Sequence, residues 1–146
     1  MIDYMKIALE EAKKAYSKGE VPIGAVIVKD GKIIARSHNL KETLKSAIAH
    51  AEILAIEEAS KRIGDWRLNG SEMYVTLEPC SMCASAIAQA RISKLHIGTF
   101  NKDMGACGTI LNILDYEIFN SYVTINWCYN KECSELISKF FQERRK

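Results

Sequence analysis

The sequence predicts an α/β protein, a sheet sandwiched between helix layers, on three observations. Helical and strand periodicities alternate along the chain in the order αββαβαβ, then a loop that holds at most a short helix, then βα. The length of 146 residues suits one domain with one continuous core. No internal repeat, low-complexity tract or linker interrupts it, so residues 1–146 are expected to form a single domain.

Each element has its own signal. Ile2, Met5, Leu9, Ala12 and Tyr16 recur at steps of three and four, an apolar helical stripe that stops at Gly19. The segments 23–28 and 33–37 are apolar strands around Lys29-Asp30-Gly31-Lys32, whose Asp-Gly marks a tight hairpin turn. Residues 39–46 are polar, and a helical pattern resumes from about Ala49 through Ile53, Ile56 and Ala59 to Gly64. Asn69-Gly70 introduces a strand at 73–77, ended by Glu78-Pro79 because proline cannot continue a ladder. A helix follows at about 81–90, a strand at 94–98, a glycine-bearing loop at 99–108, a strand at 123–127 and a last helix from about Asn130 to Arg145.

Bulk properties narrow the function. Hydrophobic residues at 48% and charged residues at 26% are ordinary globular values and exclude a disordered or fibrous chain. The formal net charge of +2 neither demands nor excludes a nucleic-acid partner, because a local patch matters more than the total. The first residues lack a signal-peptide pattern and no apolar run reaches membrane-spanning length, so a soluble cytoplasmic protein is expected. The five cysteines are therefore read as reduced thiols or metal ligands, with Cys107, Cys128 and Cys133 expected to be small buried apolar residues.

The chemistry concentrates in His50-Ala51-Glu52 and Pro79-Cys80-Ser81-Met82-Cys83. Taken alone, a Cys-x-x-Cys serves equally as a redox pair or half of a structural zinc knuckle, and a lone His-x-Glu means little. Together they offer two thiols and an imidazole, a donor set that suits zinc better than magnesium or calcium. Cys80 and Cys83 share one face at a helix start, where unpaired N–H groups and the helix dipole favour the thiolate that binds metal. Structural zinc sites are closed by four protein ligands, whereas catalytic sites use three and leave a position open. None of Cys107, Cys128, Cys133, His38 and His96 has the paired spacing expected of a fourth ligand, so one catalytic zinc held by His50, Cys80 and Cys83 is predicted, with Glu52 as proton shuttle to a zinc-bound hydroxide.

His-Ala-Glu followed by Pro-Cys-x-x-Cys resembles the zinc-dependent nucleobase deaminases. Further segments are similar to the bacterial tRNA-specific adenosine deaminases: Glu20 to Ala25, Tyr74 to Cys80, Met82 to Ala84, Arg91-Ile92, Gly105 to Thr109, Phe140-Phe141 and Arg144-Arg145. This resemblance implies a cytidine-deaminase-like three-layer α/β/α fold, with a five-stranded mixed sheet in the order 2-1-3-4-5, and a homodimer. It also implies a hydrolase that converts adenosine to inosine at the wobble position of a tRNA anticodon stem-loop, by hydroxide attack on C6. By the same likeness Asn39 hydrogen-bonds the purine, Val21, Pro22, Ile23 and Leu77 line the base pocket, and backbone at Ala51 orients the leaving amine. Those apolar residues would also serve as plain core, and Arg144 and Arg145 would either grip phosphates or stand solvated.

The chain departs from that family in three places. Lys45 to Ala49 replaces a run that more often reads Asp-Pro-Thr-Ala, Asn101 stands where an acidic residue suited to a ribose hydroxyl is usual, and Ile125 to Tyr129 replaces a glycine-containing stretch. An uncharged Asn101 is expected to relax discrimination of RNA from DNA. Two other functions stay open on the sequence: deamination of a free base or nucleoside such as guanine, adenosine or cytosine, and a zinc module that binds RNA without catalysis.

Overall fold

The computed structural model describes residues 1–120 and 122–144, so the predicted phosphate-gripping residue Arg145 lies outside the described residues. Four α-helices among them, α1 (Tyr4–Ser17), α2 (Ala51–Ile63), α3 (Ser81–Gln89) and α4 (Lys131–Arg144), surround five strands: β1 (Gly24–Lys29), β2 (Lys32–His38), β3 (Ser71–Leu77), β4 (Lys94–Thr99) and β5 (Thr124–Trp127). The strands form one mixed sheet in the order β2-β1-β3-β4-β5, as the family resemblance implied. β1 pairs antiparallel with β2 and β3, while β3, β4 and β5 run parallel. No described helix is long and apolar enough to cross a membrane.

The side-chain alternation of β1 explains the layering. Ala25 and Ile27 point into a core shared with Ala51, Ala55 and Ala59 of α2 and Ala84, Ile87 and Ala88 of α3. Val26 and Val28 point the other way, to Met5, Ala8 and Leu9 of α1 and Cys133 of α4. Alanines on the helix faces let the layers approach closely, and at Gly24 the approach is closest of all. A Cβ there would stand 1.9 Å from the Ala8 carbonyl oxygen, so only glycine fits beneath α1. The hairpin turn is as expected from Asp-Gly, with Asp30 and Gly31 both at positive φ.

Three details differ from the expectation. α2 begins at Ala51 and not at Ala49, because Ala49 and His50 donate to Ser46 and Ile48 in a preceding turn. The segment 113–119 holds two short 3-10 turns, Ile113–Asp115 and Glu117–Phe119. Cys128 is exposed, whereas Cys107 and Cys133 are buried as expected. β5 is an edge strand and α4 packs over β3 and β4, which leaves the residue that follows β5 exposed.

Candidate metal and catalytic site

The parallel strands β3 and β4 end side by side, with Leu77 paired to Thr99. The N-termini of α2 and α3 converge on that same edge. His50 is the N-cap of α2 and Cys80 the N-cap of α3, both with extended backbone and neither with a side-chain cap hydrogen bond. Each side chain is thereby free to turn away from its own helix. His50 Nδ1 lies 3.7 Å from Cys80 Sγ and 3.5 Å from Cys83 Sγ, and the three donor atoms fall within 4.8 Å of one another.

These spacings fit a metal. Tetrahedral zinc at its usual bond lengths separates a nitrogen and a sulfur ligand by about 3.6 Å, which these two separations bracket. This is the one such donor group among the described residues, and it holds three residues. Without an ion the two thiols share a proton. Hydrogen bonding from Cys83 carries Cys80 down to about 4, and the same bond drives Cys83 upward. The Cys80 sulfur in turn raises His50. A dication replaces these protons and neutralises both thiolates.

Glu52, in the first turn of α2, is 3% exposed and its Oε1 has no hydrogen-bond partner among the described residues. Burial pushes its carboxyl up to about 7, reinforced by the negative Cys80 sulfur nearby. A buried carboxyl oxygen with nothing to bond is rare in a resting fold, and this one adjoins a cavity of about 420 Å³ that also reaches His50 and Cys80.

Of the expected pocket residues, Val21, Ile23, Asn39, Leu77 and Asn101 line that cavity, whereas Pro22 and Ala51 are buried and do not reach its wall. Asn39 is locally engaged, its Nδ2 donating to the Val21 carbonyl at 3.3 Å and its Oδ1 accepting from Lys41 N at 3.2 Å. Asn101 Oδ1 accepts from the N–H groups of Asp103 and Met104, which makes it the brace of its own turn. Arg144 does not line the cavity. It donates to the Gly19 carbonyl at 2.9 Å and lies over the Phe140 ring, joining α4 to the turn after α1.

Two glutamates that sequence reasoning gave no role hold the walls. Glu20, 1% exposed, accepts from the backbone of Glu42 and Thr43 and so pins the segment after Asn39. Glu78, also 1% exposed, accepts from the N–H groups of Asn101, Cys107 and Thr109 and from the Thr109 hydroxyl, fastening the loop after β4. Gly105 belongs to this arrangement, because a Cβ there would meet Glu78 Oε1 at 2.4 Å and the Asn101 carbonyl oxygen at 2.5 Å. A carboxyl at the end of an apolar strand was the only signal of Glu78 in the chain. The mouth was also missed: Phe100 and Met104 from the loop, Ile137 and Phe141 from α4, with Lys41 and Lys102 as its cations.

Comparison with known proteins agrees with this geometry. Residues 1–99 match the cytidine and deoxycytidylate deaminase zinc-binding region. A tRNA-specific adenosine deaminase of Bacillus subtilis is 52% identical over 98% of this chain and 89% of its own length. A solved structure from a study of A-to-I editing by tRNA:A34 deaminases at the wobble position of transfer RNA superposes with a TM-score of 0.88 at 40% identity, over 91% of this chain and 97% of that one. A guanine deaminase from Bacillus subtilis superposes less closely, with a TM-score of 0.66 at 30% identity, over 98% of this chain and 92% of that one.

Proposed function

The chain belongs to the cytidine and deoxycytidylate deaminase zinc-binding family, and from that premise we propose that it hydrolyses adenosine to inosine at the wobble position of a tRNA anticodon. The observation that carries this reading is that likeness to tRNA-specific adenosine deaminases runs over nearly the whole chain, and so takes in the cavity walls as well as the donors on its floor.

His50, Cys80 and Cys83 would hold the zinc, which when bound would supply Lewis-acid activation of a water molecule near neutral pH. Glu52 takes one proton from the attacking water on its unpartnered Oε1 and gives it to N1 of the adenine, then takes the remaining proton from the oxygen added at C6 and gives it to the departing amine. Oxygen adds at C6 and the bond from C6 to the exocyclic nitrogen breaks, so each inosine consumes one water and releases one ammonia. Val21, Ile23 and Leu77 pack against the base, and Asn39 turns its remaining amide hydrogen and lone pair to the purine edge. Backbone at Cys80, which lines the cavity, orients the leaving amine.

A base paired within a duplex cannot enter such a cavity, whereas an anticodon loop presents one unpaired. Lys41 and Lys102 at the mouth attract phosphates, and the exposed rings of Phe100 and Phe141 offer stacking surfaces beside them. Arg144 keeps further guanidinium donors for the RNA backbone beyond the one given to Gly19. We read residues 1–146 as one deaminase domain that acts as a homodimer, since exposed Ile110, Leu111 and Ile118 leave apolar surface for a second copy to cover. With a tRNA as its substrate we read it as a cytoplasmic enzyme.

The test is ammonia release from an anticodon stem-loop beside free guanine, adenosine and cytidine. Turnover of the stem-loop is expected; turnover of a free base alone would assign the cavity to the second reading, which the likeness to guanine deaminase favours.

A further inference from the structure

Helix α4 borders the mouth of the cavity and is fastened at its two ends. Ser134, Ile137, Ser138 and Phe141, spaced by three, one and three residues, form the stripe that faces the cavity. On the adjoining stripe Cys133 and Leu136 join the apolar cluster of α1 and β1, and Phe140 meets Tyr16 of α1. Among the described residues of α4 only Cys133 and Phe140 are buried. We propose that Tyr16, acting through Glu143, is a positioning residue for the substrate: it holds the last turn of α4 against α1 and so sets where Ile137 and Phe141 stand at the mouth.

Tyr16 lies in the last turn of α1 and meets α4 in three ways. Its hydroxyl donates to the Glu143 carboxylate at 2.5 Å, its ring meets Phe140 edge-on with centroids 6.1 Å apart, and the Lys139 ammonium lies 5.4 Å from its centroid. Arg144 adds another tie by donating to the Gly19 carbonyl. The residues just after Gly19 belong to a wall of the cavity: Glu20 accepts from Glu42 and Thr43, and the Val21 carbonyl accepts from the Asn39 amide. The turn after α1 thus carries both the anchor of the mouth helix and the wall that bears Asn39.

The placement of this bond separates it from the interactions that hold the core. Tyr16 is half-buried and Glu143 exposed, so water replaces the bond when it breaks and global stability changes little. The last turn of a helix also opens more readily than its middle. The effect is therefore local. Without the bond the end of α4, with Phe141 on it, spends more of its time away from α1, and an entering nucleotide must draw it back. Binding weakens, while the steps at His50, Glu52 and the two sulfurs keep their rate.

The inference rests on the tRNA deaminase reading, and its test separates the two. kcat and KM are measured on an anticodon stem-loop for the wild-type protein, Tyr16→Phe, Glu143→Ala, Glu143→Gln and the double variant Tyr16→Phe/Glu143→Ala. Tyr16→Phe keeps the ring on Phe140 and removes only the hydroxyl, so the packing is preserved. Tyr16→Phe and Glu143→Ala are each expected to raise KM about fivefold with kcat unchanged. The double variant is expected to do no more than either, and Glu143→Gln, which keeps an acceptor oxygen, to stay within about twofold of wild type. Hydrogen exchange of the amides at 141–144 should quicken in Tyr16→Phe while the thermal midpoint holds. An unchanged KM in either single variant, effects that multiply in the double, or a KM lowered by Glu143→Ala because the carboxylate only repels RNA phosphates, overturns the positioning role and leaves the deaminase reading intact. A fall in kcat that tracks a fall in the thermal midpoint makes the bond a structural one alone and likewise overturns it. Turnover of a free base and of no stem-loop removes both inferences together.

Discussion

Glu52 and Glu11 are buried to the same extent, each 3% exposed, and burial works against the charge of both. Their surroundings send them in opposite directions. Glu11 on α1 receives hydrogen bonds from Lys14, Arg36 and His38, which outweigh burial and hold its carboxyl down at about 2. Glu52 has a carboxyl oxygen with no partner and a negative sulfur nearby, and rises to about 7. A buried carboxyl whose bonds are complete serves the fold, and one left incomplete beside a cavity is available for chemistry. Glu78 stands with Glu11 in this contrast although it borders the cavity, since both its oxygens are taken by the loop it holds.

The largest test of that contrast is Glu52→Gln. Deamination should fall by about 10²- to 10⁴-fold with zinc content unchanged by metal analysis, and thermal stability should stay level or rise, because an unmatched carboxyl has been removed. Survival of activity would take the proton path away from Glu52. Next in size, removing the metal by a chelator should abolish turnover and be reversed by zinc; the same treatment of Cys83→Ser should find little metal to remove, which metal analysis of the purified variant will show.

Glu78→Gln should behave in the opposite manner to Glu52→Gln. An amide nitrogen replaces an acceptor, so at least one of the N–H groups of Asn101, Cys107 and Thr109 loses its bond, and unfolding free energy should drop by about 2 to 3 kcal/mol in urea titration. Because the same loop carries Phe100 and Asn101, kcat/KM should fall by about 10- to 100-fold. Loss of activity with unchanged stability would move Glu78 to the other side of the comparison.

The smallest effect is expected at Glu11. Its folded carboxyl titrates near 2 against an ordinary value of 4.5, so its contribution is complete above pH 4.5 and is lost as pH falls from there towards 2. Over that window Glu11→Gln should flatten the pH dependence of stability by about 1 to 2 kcal/mol, a figure that allows for solvent screening of Lys14 and Arg36. An unchanged slope in denaturation at pH 5 and pH 3 would show the cluster to be without net stabilising effect.

Much of this was legible because it is local. The helix stripe from Met5 to Tyr16, the Asp-Gly turn and the strand stopped by Pro79 each depend on periodicity or on backbone chemistry within a few residues. Cys80 and Cys83 were legible for a related reason, since a spacing of three residues at a helix start already places side chains on one face, and His50 and Glu52 were legible as the His-x-Glu that accompanies such a pair. The start of α2 was misplaced by two residues, since the turn that holds Ala49 and His50 outside the helix is made with Ser46 and Ile48, and no propensity separates those conformations.

What was not legible depends on contacts distant in the chain. Glu78 meets its donors 23 to 31 residues later, and Cys128 is exposed only because the strand before it is the last in the sheet. Pro22 and Ala51 share the segments that form the cavity, yet their side chains lie behind its wall. Asn112 and Trp127 belong to different elements and acquire a common cleft only through the loop after β4.

The sequence by itself determined the elements and picked out His50, Cys80 and Cys83 as candidate zinc donors and Glu52 as the candidate shuttle, because helix and strand periods and metal-ligand spacing are short-range rules. The tertiary structure alone decided that Nδ1 of His50 faces the two sulfurs, that Glu52 is left without a partner, and that Glu20 and Glu78 pin opposite walls of one cavity. The physical reason is that satisfaction of a polar group is a property of everything packed around it, and packing at the end of a sheet gathers residues that the chain keeps far apart.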